Sequence, residues 1–269
     1  MKLHFLTSCK LSLCILLLQY SLTCLALTPE EEDKQRIAEL VVANHIIADL
    51  GVVDGFGHIS VRSVKNPTHY FMSRSRAPAS VTAADILEYD LDDHPITNNG
   101  MKPYGERFIH SEIYKTRPDV QSIIHSHSPA VIPYSVSDVA LKPLSNTAGF
   151  LIREVPVFEI RETAGGATDM LVKNKDLGGA LAKKLGSATV VLMRGHGMAV
   201  VGSSIKLAVA HAFYTERNAQ LQTQAIQLGG KINFYTQDEA INAGNFIDSQ
   251  VDRPWEIWQE QATAHNPKK

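Results

Sequence analysis

The sequence predicts a single α/β domain that follows a short N-terminal targeting segment. Its 269 residues are 44% apolar, which is enough to bury one good-sized core. Signals for strands and signals for helices are both present along the chain, so we expect both kinds of element in this domain. Acidic and basic residues are interspersed and give a net charge of −2, so no basic patch indicates binding to nucleic acid or to an anionic membrane.

The first 26 residues have the pattern of a secretory signal peptide. A weakly basic start is followed by the apolar run Leu11–Leu18 and by small residues at Cys24-Leu25-Ala26. Cleavage before Leu27 would export residues 27–269 through the secretory pathway, as a periplasmic or extracellular protein without stable membrane association. The alternatives are an uncleaved anchor or a misassigned start codon, and a non-functional signal would leave the protein in the cytoplasm. All three cysteines lie in this segment, so the mature chain would contain no disulfide and no thiolate ligand.

Helix and strand signals alternate through the first half of the mature chain. Thr28 and Glu31 form a capping box that starts a helix, and this helix ends near Leu50, before Gly51. Thr82 caps a short helical turn that leads into Ile86–Asp90. Further segments are predicted as two strands, an exposed turn-rich stretch and a helix that carries Glu106 in its first turn, where the helix dipole favours a carboxylate: Gly57–Arg62, His69–Ser73, Asp92–Gly100 and Glu106–Thr116.

The second half predicts three more strands and two more helices. The strands are Val120–Ile124 with its histidine-containing continuation, Glu154–Ile160 and Thr189–Met193, and the helices are Met170–Leu185 and Ser204–Leu228. Both tryptophans follow near the C-terminus, at Trp255 and Trp258. Tryptophan is enriched at subunit contacts, so we expect these two side chains to be buried at a subunit interface.

Three histidines at the ends of apolar strands predict a catalytic metal site. His125 and His127 lie two residues apart, so alternation along a strand places both imidazoles on the same face. His196 follows another apolar strand and is flanked by glycines. Taken singly, such histidines are ordinary polar residues at a strand end or on a surface strand. Together with the upstream Glu106 they favour a bound divalent ion, because neutral imidazoles in an apolar setting are costly without a partner.

The same residues resemble the class II aldolase/adducin family. The resemblance rests on Glu106, on Tyr114 with Arg117-Pro118-Asp119, on His125-x-His127 and on Gly195-His196-Gly197, and it covers most of the chain after residue 30. It implies a three-layer α/β/α domain with a mostly antiparallel central sheet, and a homotetramer with active sites at the subunit interfaces. It also implies one divalent metal per chain, zinc or alternatively manganese, with His125, His127 and His196 as ligands and Glu106 as the acid/base.

Departures from the sugar-phosphate aldolases of this family indicate a different substrate. Those aldolases carry Gly-Asn-x-Ser where this chain has Gly57-His58-Ile59-Ser60, and Ser-Ser where it has Tyr104-Gly105. The missing groups bind the substrate phosphate, whereas histidine and arginine suit a carboxylate. The pattern is similar to the family branch that decarboxylates hydroxylated aromatic or pyridine carboxylic acids. We therefore predict substrate binding by a set of polar and basic residues: His58, Ser60, Ser73, Arg74, Arg76 and Arg107. For Arg74 and Arg76, surface ion pairs in a solvated loop are the alternative.

These features predict a metal-dependent carbon–carbon lyase, of the decarboxylase or aldolase type. Its substrate would be an unphosphorylated hydroxy-carboxylate or hydroxy-carbonyl compound, cleaved through a metal-stabilised enolate that Glu106 protonates. A retro-aldol aldehyde-lyase acting on a sugar-like substrate is the alternative, as are an epimerase or dehydratase and a non-catalytic adducin-like binding module. Family members also use a tyrosine from a C-terminal helix of the neighbouring subunit as an acid. Tyr214 is a candidate for that role, and packing is the alternative.

Overall fold

The computed structural model of the protein describes residues 27–96, 100–153 and 155–265. The predicted signal peptide, residues 1–26, lies outside the described residues. Within the described part, no helix combines the length and the apolar character that crossing a bilayer requires.

A seven-stranded sheet forms the centre of the domain, in the order β3-β2-β1-β4-β7-β6-β5. Every neighbouring pair is antiparallel except β5 and β6, which run parallel. The mostly antiparallel sheet expected from the family resemblance is therefore confirmed. The strands are β1 His58–Arg62, β2 His69–Ser73, β3 Ile86–Asp90, β4 Ser122–Ser126, β5 Val157–Phe158, β6 Val190–Met193 and β7 Gly197–Gly202.

Helices cover both faces of this sheet. They are α1 Pro29–Asp49, α2 Phe108–Thr116, α3 Ile132–Ser135, α4 Ile160–Ala164, α5 Lys175–Leu185, α6 Ile205–Leu228, α7 Gln237–Ser249 and α8 Asp252–His265. One buried cluster combines β4 Ile124 with side chains of α1, α6 and α8. A second cluster combines the adjacent Ile123 with side chains of α2 and α5. Neighbouring residues of one strand thus enter opposite cores, which gives the three-layer arrangement.

The prediction made for the N-terminal helix is confirmed, whereas the one made for the two tryptophans near the C-terminus is not. The Thr28–Glu31 capping box starts α1 as predicted. The interface expected for Trp255 and Trp258 is wrong for this chain, because both side chains are buried in its own core beside α1 and α6. A helix of this length needs its apolar stripe covered, and here the intramolecular core covers it.

Four predicted segments differ from the structure. The helix predicted over Met170–Leu185 starts only at Lys175, because Asn174 caps it and Met170 adopts a φ of 68°. The Asp92–Gly100 stretch is not wholly exposed, since Asp93 is 2% exposed and accepts hydrogen bonds from Tyr70 and Ser111.

The remaining differences concern element boundaries. The strand predicted over Glu154–Ile160 is reduced to Val157–Phe158, with Glu154 outside the described residues and Ile160 opening α4. The helix that follows Glu106 begins at Phe108, so Glu106 lies in the preceding turn rather than in the first helical turn.

Candidate metal centre

Four potential ligand atoms converge beside the centre of the sheet. They belong to Glu106, His125, His127 and His196, and all lie within 4.8 Å of one another. His125 is part of β4, and His127 lies one residue beyond its end. His196 occupies the turn between β6 and β7, and Glu106 the turn before α2. The structure thus brings together the four residues that the sequence grouped as a metal site.

Local backbone geometry explains the glycines around His196. Gly195 has a φ of +62°, in the left-handed region that favours glycine. Gly197 packs directly against the carbonyl of Ser126, so that an added Cβ would overlap it. The two glycines allow a tight turn and a close approach of β7 to β4, which together place His196 next to His127.

The distances between the histidine nitrogens suit a metal ion. His127 Nε2 lies 3.2 Å from His125 Nε2 and 3.0 Å from His196 Nε2. Glu106 Oε2 lies 3.6 Å from His125 Nε2 and 3.7 Å from His196 Nε2. Two ligands of a tetrahedral zinc ion with bonds of about 2.1 Å are separated by roughly 3.4 Å, close to the separations seen here.

The protonation of the histidines also favours a cation. His125 donates its Nδ1–H to the carbonyl oxygen of Met198 at 3.1 Å, which leaves a lone pair on Nε2. Burial lowers the pKa of His125 to about 3 and that of His196 to about 4, so both rings are neutral near pH 7. Lone pairs that face each other in a dry site repel unless a cation lies between them. The donor set therefore fits a divalent metal.

The Glu106 carboxyl group is held in place and is poised to exchange a proton. Its Oε1 accepts a hydrogen bond from the backbone N–H of Val172 at 2.9 Å. Burial raises the pKa of Glu106, and the nearby His196 and the Val172 hydrogen bond oppose this shift only in part. Desolvation therefore dominates over the stabilisation by the helix dipole that the sequence suggested. A carboxyl group with a raised pKa is suited to act as a general acid or base near neutral pH.

A cleft of about 390 Å³ opens beside the cluster, and Glu106 and His127 form part of its wall. The exposed side chain of Phe56 stacks over His127 with ring centroids 6.1 Å apart. Leu171, also exposed, lines the cleft as well. Tyr104 contacts His58 with ring centroids 4.5 Å apart. The cleft thus combines two apolar side chains with two members of the polar cluster, Glu106 and His127.

The structure places some of the predicted substrate-binding residues at the cleft and others away from it. His58 and Arg76 line the cleft. Arg74 instead pairs with the buried Asp85, Nε to Oδ1 at 2.6 Å. Ser60 and Ser73 are fully buried and lie outside the residues that line the cleft.

Arg107 is also placed away from the cleft. Its guanidinium donates to the backbone carbonyls of Asp93 and Tyr104 and stacks on Phe108. These bonds hold the loop before α2, so the structure does not bring Arg107 to the metal cluster. Tyr214 is likewise not part of its own chain's cluster, since it packs against Phe213 and Trp258.

Sequence reasoning gave no role to His110, which donates to or accepts from His58 Nδ1 at 2.7 Å. A usable signal was present, because His58 and Ser60 share one face of a strand and His110 and Tyr114 share one face of a helix. Without knowing that α2 covers β1, these two pairs could not be joined. The sequence did not indicate that Phe56 would line the cleft either, because a single aromatic residue in a glycine-rich loop is not part of a periodic pattern.

Comparisons with known proteins point to one family. The sequence profile of the family described as Class II Aldolase and Adducin N-terminal domain matches residues 38–223. The chain is 36% identical over 236 residues to the Decarboxylase tropJ of Talaromyces stipitatus, covering 80% of this chain and 89% of that protein. It is 30% identical over 210 residues to the 3,4-dihydroxyphthalate decarboxylase of Arthrobacter keyseri, covering 72% and 79% of the two chains.

A solved structure supports the fold. The L-fuculose 1-phosphate aldolase from Glaciozyma antarctica PI12 matches with a TM-score of 0.75 at 23% identity, over 91% of this chain and 96% of that one. This likeness concerns the fold alone. With the family profile covering more than half of the chain and decarboxylase relatives at 30% identity and above, the chain belongs to the class II aldolase and adducin family.

Proposed function

We propose that this protein is a divalent-metal-dependent carbon–carbon lyase that decarboxylates an unphosphorylated hydroxy-carboxylate. The observation that carries this proposal is the buried cluster of three histidines and Glu106 beside a cleft that His58 and Arg76 line. The decarboxylase relatives from Talaromyces and Arthrobacter support the reaction type. Zinc is the expected ion because of the three imidazole ligands, and manganese is the alternative because Glu106 adds an oxygen donor.

The residues of the cleft divide the work of this reaction. His125, His127 and His196 would hold the ion, with Glu106 close enough to join them. When bound, the ion supplies Lewis-acid stabilisation of the negative charge that develops on a substrate oxygen. As the bond to the carboxylate breaks and carbon dioxide leaves, Glu106 in its protonated form gives its proton to the carbon that retains the electron pair.

Recognition of the carboxylate falls to basic and polar groups at the rim. The Arg76 guanidinium is anchored by Nε to the carbonyl of Ser80 at 2.6 Å and lies 3.4 Å from Asp85 through Nη1. Held in this way, it faces the cleft with little side-chain entropy left to lose. Phe56 and Leu171 offer apolar faces on which a planar ring can rest.

Retro-aldol cleavage of a sugar-like substrate is the second candidate, because it needs the same ion and the same proton transfer. The fold shared with the L-fuculose 1-phosphate aldolase does not separate the two reactions, whereas His58 and Tyr104 in place of the phosphate-binding groups disfavour a phosphorylated substrate. A non-catalytic role has less support. The gamma-adducin of Mus musculus is 24% identical and this chain spans 29% of its length, but a full set of metal ligands has no evident use in a binding module.

A product assay separates these functions. Purified residues 27–269, loaded with zinc or manganese, are incubated with 3,4-dihydroxyphthalate, other hydroxylated aromatic acids and L-fuculose 1-phosphate. Carbon dioxide from a hydroxy acid is expected, and the Arg76→Gln variant should raise KM about tenfold while the Arg74→Gln control changes it little. Faster turnover of the sugar phosphate than of every hydroxy acid would contradict the substrate class.

Two further proposals concern assembly and location. We expect a homotetramer with active sites at its interfaces, in which Tyr214 would reach a neighbouring site, and light scattering measures the mass directly.

We also expect export, with cleavage before Leu27. N-terminal sequencing of the secreted protein tests this, and an intact Met1 on cytoplasmic protein would contradict it.

A further inference from the structure

A chain of polar side chains runs from the cleft into the space between β1 and α2. It begins at His58, whose Nδ1 lies 2.7 Å from His110 Nε2. His110 Nδ1 lies 2.7 Å from the hydroxyl of Ser60, and that hydroxyl lies 2.8 Å from the hydroxyl of Tyr114. All four side chains are buried, with exposures of 1% or less. None of them belongs to the metal cluster.

Each member of this chain has one proton to share. Both imidazole rings are buried, and among the described residues their hydrogen-bond partners are each other and Ser60, with no carboxylate to stabilise a charge. Burial without an ionic partner disfavours a charged ring, so each ring is neutral and carries a single N–H. The two hydroxyl groups carry one O–H each. With one proton per member, the hydrogen bonds must all run in the same direction along the chain. That direction decides which nitrogen of His58 is protonated.

The distances at the buried end favour one direction. Tyr114 can donate to Ser60 at 2.8 Å or to the carbonyl oxygen of Gln121 at 3.4 Å. Hydrogen bonds between oxygens are normally 2.5–3.0 Å long, so only the first contact has good geometry. The Gln121 carbonyl already accepts the backbone N–H of Arg62 at 2.8 Å. Tyr114 therefore donates to Ser60, and Ser60 donates to His110 Nδ1.

We propose that this chain holds His58 in the tautomer with its proton on Nε2. His110 then donates its Nε2–H to His58 Nδ1, and His58 turns an N–H donor toward the cleft. Ser60 and His110 act as positioning residues, and Tyr114 closes the buried end. Given the proposed function, on which this step rests, the His58 N–H donates to an anionic oxygen of the substrate.

Such a donor complements the other groups at the cleft. It is neutral, so it does not add a charge beside the histidines that would hold the ion, as a lysine or arginine at this position would. The His58 N–H is also fixed before the substrate arrives, because His110, its hydrogen-bond partner, is fully buried and is itself hydrogen-bonded to Ser60. Donors that are oriented in advance cost no reorganisation when negative charge develops. In the sugar-phosphate aldolases the corresponding position is an asparagine, which could donate without such a chain.

The tautomer can be observed without any turnover. We would record solid-state ¹⁵N NMR spectra of the histidine-labelled, zinc-loaded mature protein and assign His58 by the signals lost in His58→Gln. The proposal predicts a protonated Nε2 and an unprotonated Nδ1 on His58. An unprotonated Nε2 on His58 in the wild type would overturn the proposal.

Two variants of His110 test the positioning role. Salicylate, a hydroxylated aromatic carboxylate, serves as the probe for binding at the cleft. His110→Leu removes the donor to His58 and should give a mixture of His58 tautomers, with salicylate binding weakened about 10- to 100-fold. His110→Gln has a side-chain N–H that can donate to His58 Nδ1, so it should restore the Nε2–H tautomer and most of the affinity. An unchanged tautomer in His110→Leu would overturn the proposal, and the wild-type spectrum still decides should that variant not fold. A wild type with the predicted tautomer that neither binds salicylate nor decarboxylates any hydroxy acid would refute the proposed function and not the proton order.

Discussion

Replacing Glu106 by glutamine separates its chemical role from its structural one. Glutamine has the same shape and keeps an oxygen that can accept the 2.9 Å hydrogen bond from the Val172 N–H. The change removes the group that exchanges protons, together with the negative charge that Glu106 would bring to an ion held by the three histidines. A positioned general acid or base contributes about 10²- to 10⁴-fold to a rate, so we expect kcat to fall by that factor, equal to about 2.7–5.5 kcal/mol of transition-state stabilisation.

The stability of this variant should stay close to that of the wild type. The Glu106 side chain is 12% exposed, and its pKa is raised because burial disfavours the charged form. A neutral amide avoids that desolvation cost and retains the hydrogen bond. We therefore expect the free energy of unfolding of the metal-free protein to change by less than about 1 kcal/mol.

Glu216→Gln is a matched control for this experiment. Glu216 is also buried, its pKa is also raised by burial, and it also accepts a backbone N–H, from Ala130. It lies outside the metal cluster and the cleft, so its replacement should leave kcat within about threefold. The measurements are steady-state decarboxylation and urea unfolding of all three proteins. Equal losses of kcat in both variants, or a fully active Glu106→Gln, would refute the reasoning.

Three further predictions concern the support of the site, the pH dependence of stability and the bound ion. Gly197→Ala should destabilise the protein by about 1–3 kcal/mol, because its new methyl group overlaps the carbonyl of Ser126. The control Gly55→Ala, which has open space around the added atom, should cost much less, and equal urea midpoints would contradict the close packing. Asp85→Asn should destabilise the protein at pH 7. Burial alone would raise the pKa of Asp85, but hydrogen bonds from Thr82 and the adjacent arginines lower it overall, so its stabilisation is present above about pH 4 and is lost as the pH falls further. The difference between wild type and variant should therefore shrink in acid, and a difference that grows there would contradict this assignment. Removal of the ion by a chelator should lower thermal stability, by about 2.7 kcal/mol when the free ion had been at 100 times its Kd, and an unchanged Tm would argue against tight binding.

The parts of the site that lie on single strands were accessible from the sequence. His125 and His127 share a face because of strand alternation, and His196 follows a separate apolar strand with glycines on both sides. These local rules predicted a cluster, and the structure brings its atoms within 4.8 Å. Likewise the capping box at Thr28 predicted the start of α1.

Features that depend on pairing between distant segments were not accessible. The bond between His58 and His110 joins residues 52 positions apart, and it requires α2 to cover β1. The same holds for Arg107, which sequence proximity to Glu106 placed in the substrate site. Its guanidinium instead holds the loop that contains Asp93, because one position along a turn redirects a side chain by a large angle. The helix start predicted at Met170 was wrong for a related reason, since nothing local in the sequence indicates the φ of 68° that this residue adopts.

The metal content of the purified mature protein tests the central claim most directly. Mass spectrometry of residues 27–269 would compare the wild type with the His127→Ala variant. The Nε2 atom of His127, which this variant lacks, lies between those of His125 and His196. We predict about one zinc or manganese ion per chain in the wild type and little in the variant. A wild type that remains metal-free after reconstitution with either ion would contradict the lyase assignment and favour a binding module.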